Sequence, residues 1–233
     1  MKKIVLSLFA LAMFSFTSNA QTLDEIIAKN IAARGGLEKL KNLKTLIVES
    51  SINAQGMDIP IKVTMMHNTG FKMDMSLMGM DNYMLVNKKE GVQFFPIRGQ
   101  TAPEALPADM IKNFETKFDL QGEFIDTKAK GINLTLQGEE DVDGTMCYKI
   151  LCVFPNKTEK RIYIDKESYQ VIKEVEKSIV NGKEMEESSE YSNFQTVDGY
   201  TMAFNASGQM GMMKTTKLQI NPKIEPSFFE VKK

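Results

Sequence analysis

The chain has 233 residues, with 29 Lys+Arg against 30 Asp+Glu, one His, two Cys, 17 Met and no Trp. A formal net charge of -1 provides no global attraction for nucleic acid or for an anionic membrane surface. One histidine excludes a multi-His metal site and two cysteines exclude a Cys-only zinc site or a disulfide-dense scaffold, so the excess to be explained is methionine, a flexible and polarizable filler of apolar space.

Lys2 and Lys3 precede an apolar run from Ile4 to Phe16, and Ser18 and Ala20 stand at the cleavage offsets of a secretory signal peptide. The run is too short to span a membrane comfortably. Export with cleavage after Ala20 is therefore expected, giving a mature chain that starts at Gln21 and is not membrane-spanning. No second long apolar run and no Gly/Ser linker follows, so 21–233 is expected to form one domain.

Thr22-Leu23-Asp24-Glu25 is a capping box. It opens a helix with an Ile26, Ile27, Ile31 stripe, which Gly35-Gly36 stops. A short helical turn is expected over Leu37–Lys41. From Leu43 the apolar period becomes two. Leu46, Val48, Ser50, Ile52 and Ala54 share a face, as do Ile59, Ile61, Val63, Met65 and His67, and then Phe71, Met73, Met75 and Leu77. Glu49, Lys62, Thr64, Lys72 and Asp74 fall on the other side. Such alternation marks antiparallel strands with one apolar and one wet face. Turns are expected at Gln55-Gly56 and Asn68-Thr69-Gly70.

Pro107 suits a first helical position, and Met110, Phe114 and Phe118 recur at four-residue spacing beside Ile111, predicting a helix over Pro107–Lys117. Asp143-Gly144, Asn181-Gly182 and Asp198-Gly199 are primed-turn dipeptides between further strands. The strands expected are 43–54, 59–67, 71–78, 82–88, 92–96, 132–142, 145–154, 160–165, 169–180, 184–195 and 200–220, the last open to splitting. So large a meander with so few helices must curl around its own apolar face. The fold class is mainly β with a helical lid: an unclosed antiparallel barrel of about eleven strands whose N-terminal and mid-chain helices cover the mouth. Cys147 and Cys152 lie five residues apart on one strand, roughly 16 Å along it and on opposite faces. A disulfide requires Cα atoms within about 7 Å, so buried free thiols are expected.

No G-x-S-x-G, H-E-x-x-H or phosphate-binding loop occurs. The carboxylates of Glu139-Glu140-Asp141 and of Glu184, Glu186 and Glu187 fall in or beside hairpins and read as solvated faces. Enzymatic chemistry is not indicated, and no catalytic residue, cofactor or metal site is assigned. His67, at a strand end, reads as a neutral hydrogen-bonded residue, and Arg98 as a loop arginine near the mouth. Eight methionines fall between Met57 and Met84. They admit three readings: interior packing, an adaptable wall for an acyl chain, or a soft Cu(I) site built from Met65, Met66 and His67 or at the Met78-Gly79-Met80 turn. Strand parity favours the first two.

A run of Gly138-Glu139-Glu140-Asp141-Val142-Asp143-Gly144, Cys147-Tyr148-Lys149-Ile150, Arg161-Ile162-Tyr163-Ile164-Asp165 and Tyr169 is followed by Val197-Asp198-Gly199, Asn221-Pro222 and Pro226-Ser227-Phe228-Phe229. With Gly35-Gly36 and the signal peptide, this order resembles the LolA-like periplasmic proteins, the outer-membrane lipoprotein-sorting family. The resemblance implies a periplasmic half-barrel that shelters the acyl chains of lipoproteins or other lipids, with an inner-membrane donor and an outer-membrane acceptor as partners, or a lipid or partner sensor of the same fold. Leu43–Ala54, where the resemblance would place a lid-locking arginine, carries only Lys44. The candidate pocket residues are Leu46, Val48, Ile52, Ile61, Val63, Met65, Phe71, Met73, Met75 and Met84, faced from the lid by Met110 and Phe114. The intact mass of the exported protein should correspond to a chain beginning at Gln21.

Overall fold

A computed structural model describes residues 21–54, 56–114, 116–180, 183–209 and 211–231. The signal segment, Gln55 of the first expected turn and the Asn181-Gly182 turn lie outside these residues.

The capping box forms as written: Thr22 Oγ1 accepts the Glu25 N–H at 3.3 Å, and Glu25 Oε2 accepts the Thr22 N–H at 2.9 Å. Helix α1 spans Leu23–Ala33 and α2 spans Leu37–Lys41. Gly35 between them is required, because a Cβ there would stand 2.3 Å from the Gly199 carbonyl oxygen at φ +121°.

The strands are β1 (Thr45–Ala54), β2 (Met57–Met66), β3 (Gly70–Leu77), β4 (Met80–Asn87), β5 (Gly91–Phe94), β6 (Glu104–Ala105), β7 (Asn133–Val142), β8 (Thr145–Val153), β9 (Glu159–Asp165), β10 (Val171–Val180), β11 (Lys183–Val197), β12 (Tyr200–Gly208) and β13 (Gly211–Ile220). All belong to one sheet in the order β6-β5-β4-β3-β2-β1-β13-β12-β11-β10-β9-β8-β7, with β6 and β7 as its two edges. The sheet is unclosed and antiparallel, as expected. It has thirteen strands rather than about eleven, because the 200–220 segment splits at the Gly208/Gly211 hairpin and a two-residue β6 pairs with β5. Asp143-Gly144 (φ 50° and 87°) and Asp198-Gly199 (φ 52° and 80°) make the primed turns their sequences call for.

The mid-chain helix is shorter than predicted. Pro107 has an extended ψ of 148° and caps α3 (Ala108–Asn113) instead of opening it. A single 3₁₀ turn, Thr116–Phe118, completes the segment before α4 (Thr127–Lys130). Met110 and Phe114 nevertheless fall on one side, packed with Phe118, Val86 and Leu106 and flanked by Phe71 and Met84. Helix α3 also meets β10, so it spans the concavity from one half of the sheet to the other.

Helix α1 lies on the concave face over β7–β9, where Ile26 is buried among Tyr148, Ile150, Cys152, Ile162 and Ile164. Cys147 belongs to a separate convex-side cluster with Tyr163 and Val175, so parity does separate the two thiols, and both are free and buried. Burial pushes the Cys147 thiol up to about 11 and Cys152 higher still, leaving both un-ionised at neutral pH.

The last described residues close with a 3₁₀ turn, Pro226–Phe229. Phe229 is fully buried against Gly70, where a Cβ would come within 2.7 Å of the ring. Its carbonyl accepts the Asn87 Nδ2–H at 2.9 Å. Phe229→Ala should lower the unfolding free energy by about 3–5 kcal/mol in urea titrations, because the cavity cannot refill at a glycine.

Candidate functional site

The concave side of the first half of the sheet can be read rung by rung. Leu46, Met65, Phe71 and Val86 stand opposite one another in turn, as do Val48, Val63, Met73 and Met84, and then Ser50, Ile61, Met75 and Asn82. The sequence-predicted residues therefore share one continuous wall, and they divide by burial. Leu46, Ile52 and Ile61 are buried core. Phe71 and Met84 lie under α3 against its Met110 and Phe114, with the Phe71 and Phe114 rings 5.3 Å apart and tilted by 47°. Val48, Val63, Met65, Met73 and Met75 are half-buried on the same face. Ile61 and Met75 also border a cavity of 510 Å³ with Ser50 and Asn82. The other methionines of the run separate: Met57 and Met78 are exposed at hairpin tips, Met78 by 73%.

The second half of the same face is ionic, and sequence reasoning missed it. On β9–β11 the rungs read Lys160, Glu176, Glu187 and Ile162, Glu174, Ser189. A cavity of 360 Å³ is lined there by Arg34, Glu123, Lys160, Glu174, Glu187 and Tyr191, among others. The Lys160 ammonium is in contact with Glu123 Oε1 and lies 3.7 Å from Glu174 Oε2, which accepts the Tyr191 hydroxyl at 3.1 Å. Burial alone would raise Glu123, but the Lys160 charge outweighs it and holds the carboxyl down at about 2. Glu174 moves the other way: burial raises it, Lys160 only partly offsets this, and the Glu123 charge adds to the rise. Burial lowers Arg34 below its ordinary value, against the pull of Glu123, Glu174 and Asp119.

These charges anchor the loop that follows α3. Arg34 Nη2 reaches the Gln121 carbonyl at 3.5 Å, and Gly122 (φ +90°) makes room for it, since a Cβ there would lie 2.9 Å from Nη1. Gln121 Nε2 donates to the Lys41 carbonyl at 3.0 Å, and Lys130 holds both Asp119 and the Gly122 carbonyl. His67 Nδ1 lies 3.3 Å from the Leu120 backbone nitrogen and Nε2 lies 2.8 Å from Asn68 Nδ2, and burial lowers the ring's pKa, favouring its neutral form. Among the described residues no three His, Cys, Asp or Glu side chains converge as a metal-ligand set.

The two carboxyls act on stability with opposite signs. Glu123, lowered from 4.5 to about 2, contributes stability that is present above pH 4.5 and lost as pH falls through about 2. Glu174, raised from 4.5, costs stability as pH rises above that value. In urea titrations at pH 7, Glu123→Gln should destabilise by about 3–5 kcal/mol, since it leaves Lys160 buried without its main partner. Glu174→Gln should raise the midpoint at pH 7 and lose that advantage below pH 4.5.

No family model matches the chain, and no curated protein matches it in sequence. Solved structures do. A LolA superfamily protein from Nitrosomonas europaea superposes with a TM-score of 0.59 at 14% identity, covering 91% of this chain and 99% of that one. An outer membrane lipoprotein-sorting protein domain, so described, from Vibrio parahaemolyticus gives 0.54 at 14% identity, over 88% and 94%. A DUF1329 family protein from Desulfovibrio piger gives 0.52 at 12% identity, over 91% and 98%. At such identities the likeness speaks for architecture alone: the chain shares its overall fold with these three structures.

Proposed function

We propose that the protein is an exported, periplasmic, non-enzymatic carrier that shelters the acyl chains of a lipoprotein or lipid on the first-half wall of its concavity. One observation carries this reading. Val48, Val63, Met73 and Met75 form an apolar patch that is only half-buried, beside a helix that closes over its neighbours Phe71 and Met84. Apolar surface left accessible in a concave wall is a standing binding capacity, about 0.8 kcal/mol for each methylene that covers it. Methionine suits such a wall, because its unbranched thioether adapts to chains of different length and saturation.

Two further features support the assignment. The fold is shared with a domain described as lipoprotein-sorting. The ionic half of the concavity ties down the loop after α3, so the lid is held at that end while α3 itself packs against Phe71, Met84 and Val86 through apolar contacts. Such contacts exchange readily for an acyl chain of similar chemistry. Loading would lift α3, and release would follow handover from an inner-membrane donor to an outer-membrane acceptor.

Native mass spectrometry of protein taken from an envelope fraction should show bound lipid, and delipidated protein should take up a palmitoylated peptide. Met73→Glu should weaken that uptake at least tenfold while leaving the melting temperature nearly unchanged, since its side chain is half-exposed. Absence of bound lipid together with no uptake would sink the carrier reading.

A further inference from the structure

Gln21, on which the expected signal cleavage opens the mature chain, is tied to the sheet by its side chain. Its Oε1 accepts the Tyr148 hydroxyl at 2.7 Å and the Tyr169 hydroxyl at 3.1 Å. The two rings stack with centroids 6.3 Å apart and planes 21° from parallel, so both hydroxyls converge on one atom. Among the described residues the Gln21 amide nitrogen has no hydrogen-bond partner, so only the oxygen of the carboxamide is engaged.

Both donors are held in place. Lys29 Nζ stands 3.1 Å from the Tyr169 oxygen, and an ammonium can only donate there, which directs the Tyr169 proton to Gln21. Tyr169 takes a left-handed backbone, φ 57°, which a bulky residue rarely adopts. Fully buried Asn30 secures it, with Nδ2 donating to the Tyr169 carbonyl at 2.8 Å, and the Tyr169 N–H donates to the Asp165 carbonyl at 2.9 Å. Tyr148 is buried, and Lys166, itself paired with Glu139, lies over its ring. A strained residue fixed by its surroundings is a pointer to function.

Two hydroxyl donors on one carboxamide oxygen suit acyl transfer at that carbon, because the oxygen gains negative charge in the tetrahedral intermediate. Cleavage after Ala20 supplies the nucleophile. A freed α-amine has an ordinary pKa of about 8, so part of it is unprotonated at neutral pH. Amine and carboxamide belong to one residue, and ring closure is intramolecular. We propose that Gln21 is a self-modification site, where the mature N-terminus closes to a pyroglutamyl lactam under the Tyr148 and Tyr169 hydroxyls. The α-nitrogen bonds to Cδ, the Cδ–Nε2 bond breaks, and one proton of the α-nitrogen leaves with Nε2 as ammonia. No oxidant or other co-reactant is consumed. The lactam oxygen is the former Oε1, so the product keeps both tyrosine hydrogen bonds ahead of the Thr22 cap. Closure requires cleavage after Ala20 and is independent of acyl binding.

The mature chain can be released in vitro from a fusion by a protease that leaves Gln21 first. Closure then reads as a loss of about 17 Da, the mass of ammonia. The folded chain should close about tenfold faster, or more, than the same chain in urea, since removing a donor to a developing oxyanion costs at least that much. Tyr148→Phe with Tyr169→Phe should return the rate to that of the unfolded chain. Tyr200→Phe, which removes a hydroxyl bonded to the Lys39 carbonyl, should leave it unchanged. If the double variant melts early, Tyr169→Phe alone, at a half-buried side chain, should still slow closure. Equal rates in the folded and unfolded chains, or indifference to loss of both hydroxyls, overturns the proposal. In exported protein, a chain that starts at Gln21 and lacks one ammonia supports it, and the same chain with a free amine overturns it. A chain that starts elsewhere overturns the site together with the signal-peptide reading.

Discussion

The pairing of β1 with β13 is the constraint on which the rest of the structure depends. It joins residue 46 to residue 220 and residue 52 to residue 213, so two meanders separated by the whole mid-chain segment become one sheet. Closing so long a loop is entropically costly and is compensated only when the ladder and the faces beside it form together. Once joined, a twisted sheet of thirteen strands cannot stay flat, and its concave face must be filled. Helix α1 fills it over β7–β9, α2 and the segment around Ile125 fill the middle, and α3 spans what is left. The β1–β13 junction also sets where the C-terminal segment begins, since Asn221 follows β13 and caps the backbone entering β1.

Within that frame the concave face separates into two chemistries. Its first half, on β1–β4, is apolar and partly open; its second half, on β9–β11, carries Lys160, Glu174 and Glu176. Charges are not placed in a low-dielectric concavity for stability alone, because removing them from water costs much of what their pairing returns. Here their partners are on the loop after α3, and they give that loop one position relative to the sheet. The lid is thus specified by ions at one end and by replaceable apolar contacts at the other.

The apolar half was legible because β1, β2, β3 and β4 pair without a register shift between them, so parity read along the sequence survives into the sheet. The ionic half was hidden for two reasons. A bulge between Val171 and Lys173 shifts β10, so that Glu174 turns to the concave face although its sequence neighbours suggest otherwise. Glu123 lies in a loop with no period at all. Lys160 did carry a readable signal, since it shares the parity of Ile162 and Ile164, an apolar row in which a lysine calls for a buried partner. Arg34 follows α1 as its C-cap, and nothing local in the sequence points to its contact with Gln121. Pro107, with its extended ψ, delays the start of α3 by one residue, and the helix ends early at Asn113, before the 3₁₀ turn Thr116–Phe118, while the four-residue spacing of Met110 and Phe114 still identified the buried side. The segment after β13 was visible only as part of a family resemblance, because its contacts with Lys44, Thr45 and Asn87 are made by residues far away in sequence.

The methionine excess that marks the composition becomes, in the folded chain, a wall on one face and isolated tips elsewhere. That division makes the central claim measurable at single side chains. In protein labelled with ¹³C at the methionine methyls, a spin-labelled palmitoyl peptide should broaden the signals of Met65, Met73, Met75 and Met84 and leave Met146 and Met185 sharp. Broadening that is uniform across all methionines, or that spares Met73 and Met75, would contradict an acyl-binding wall on the concave face.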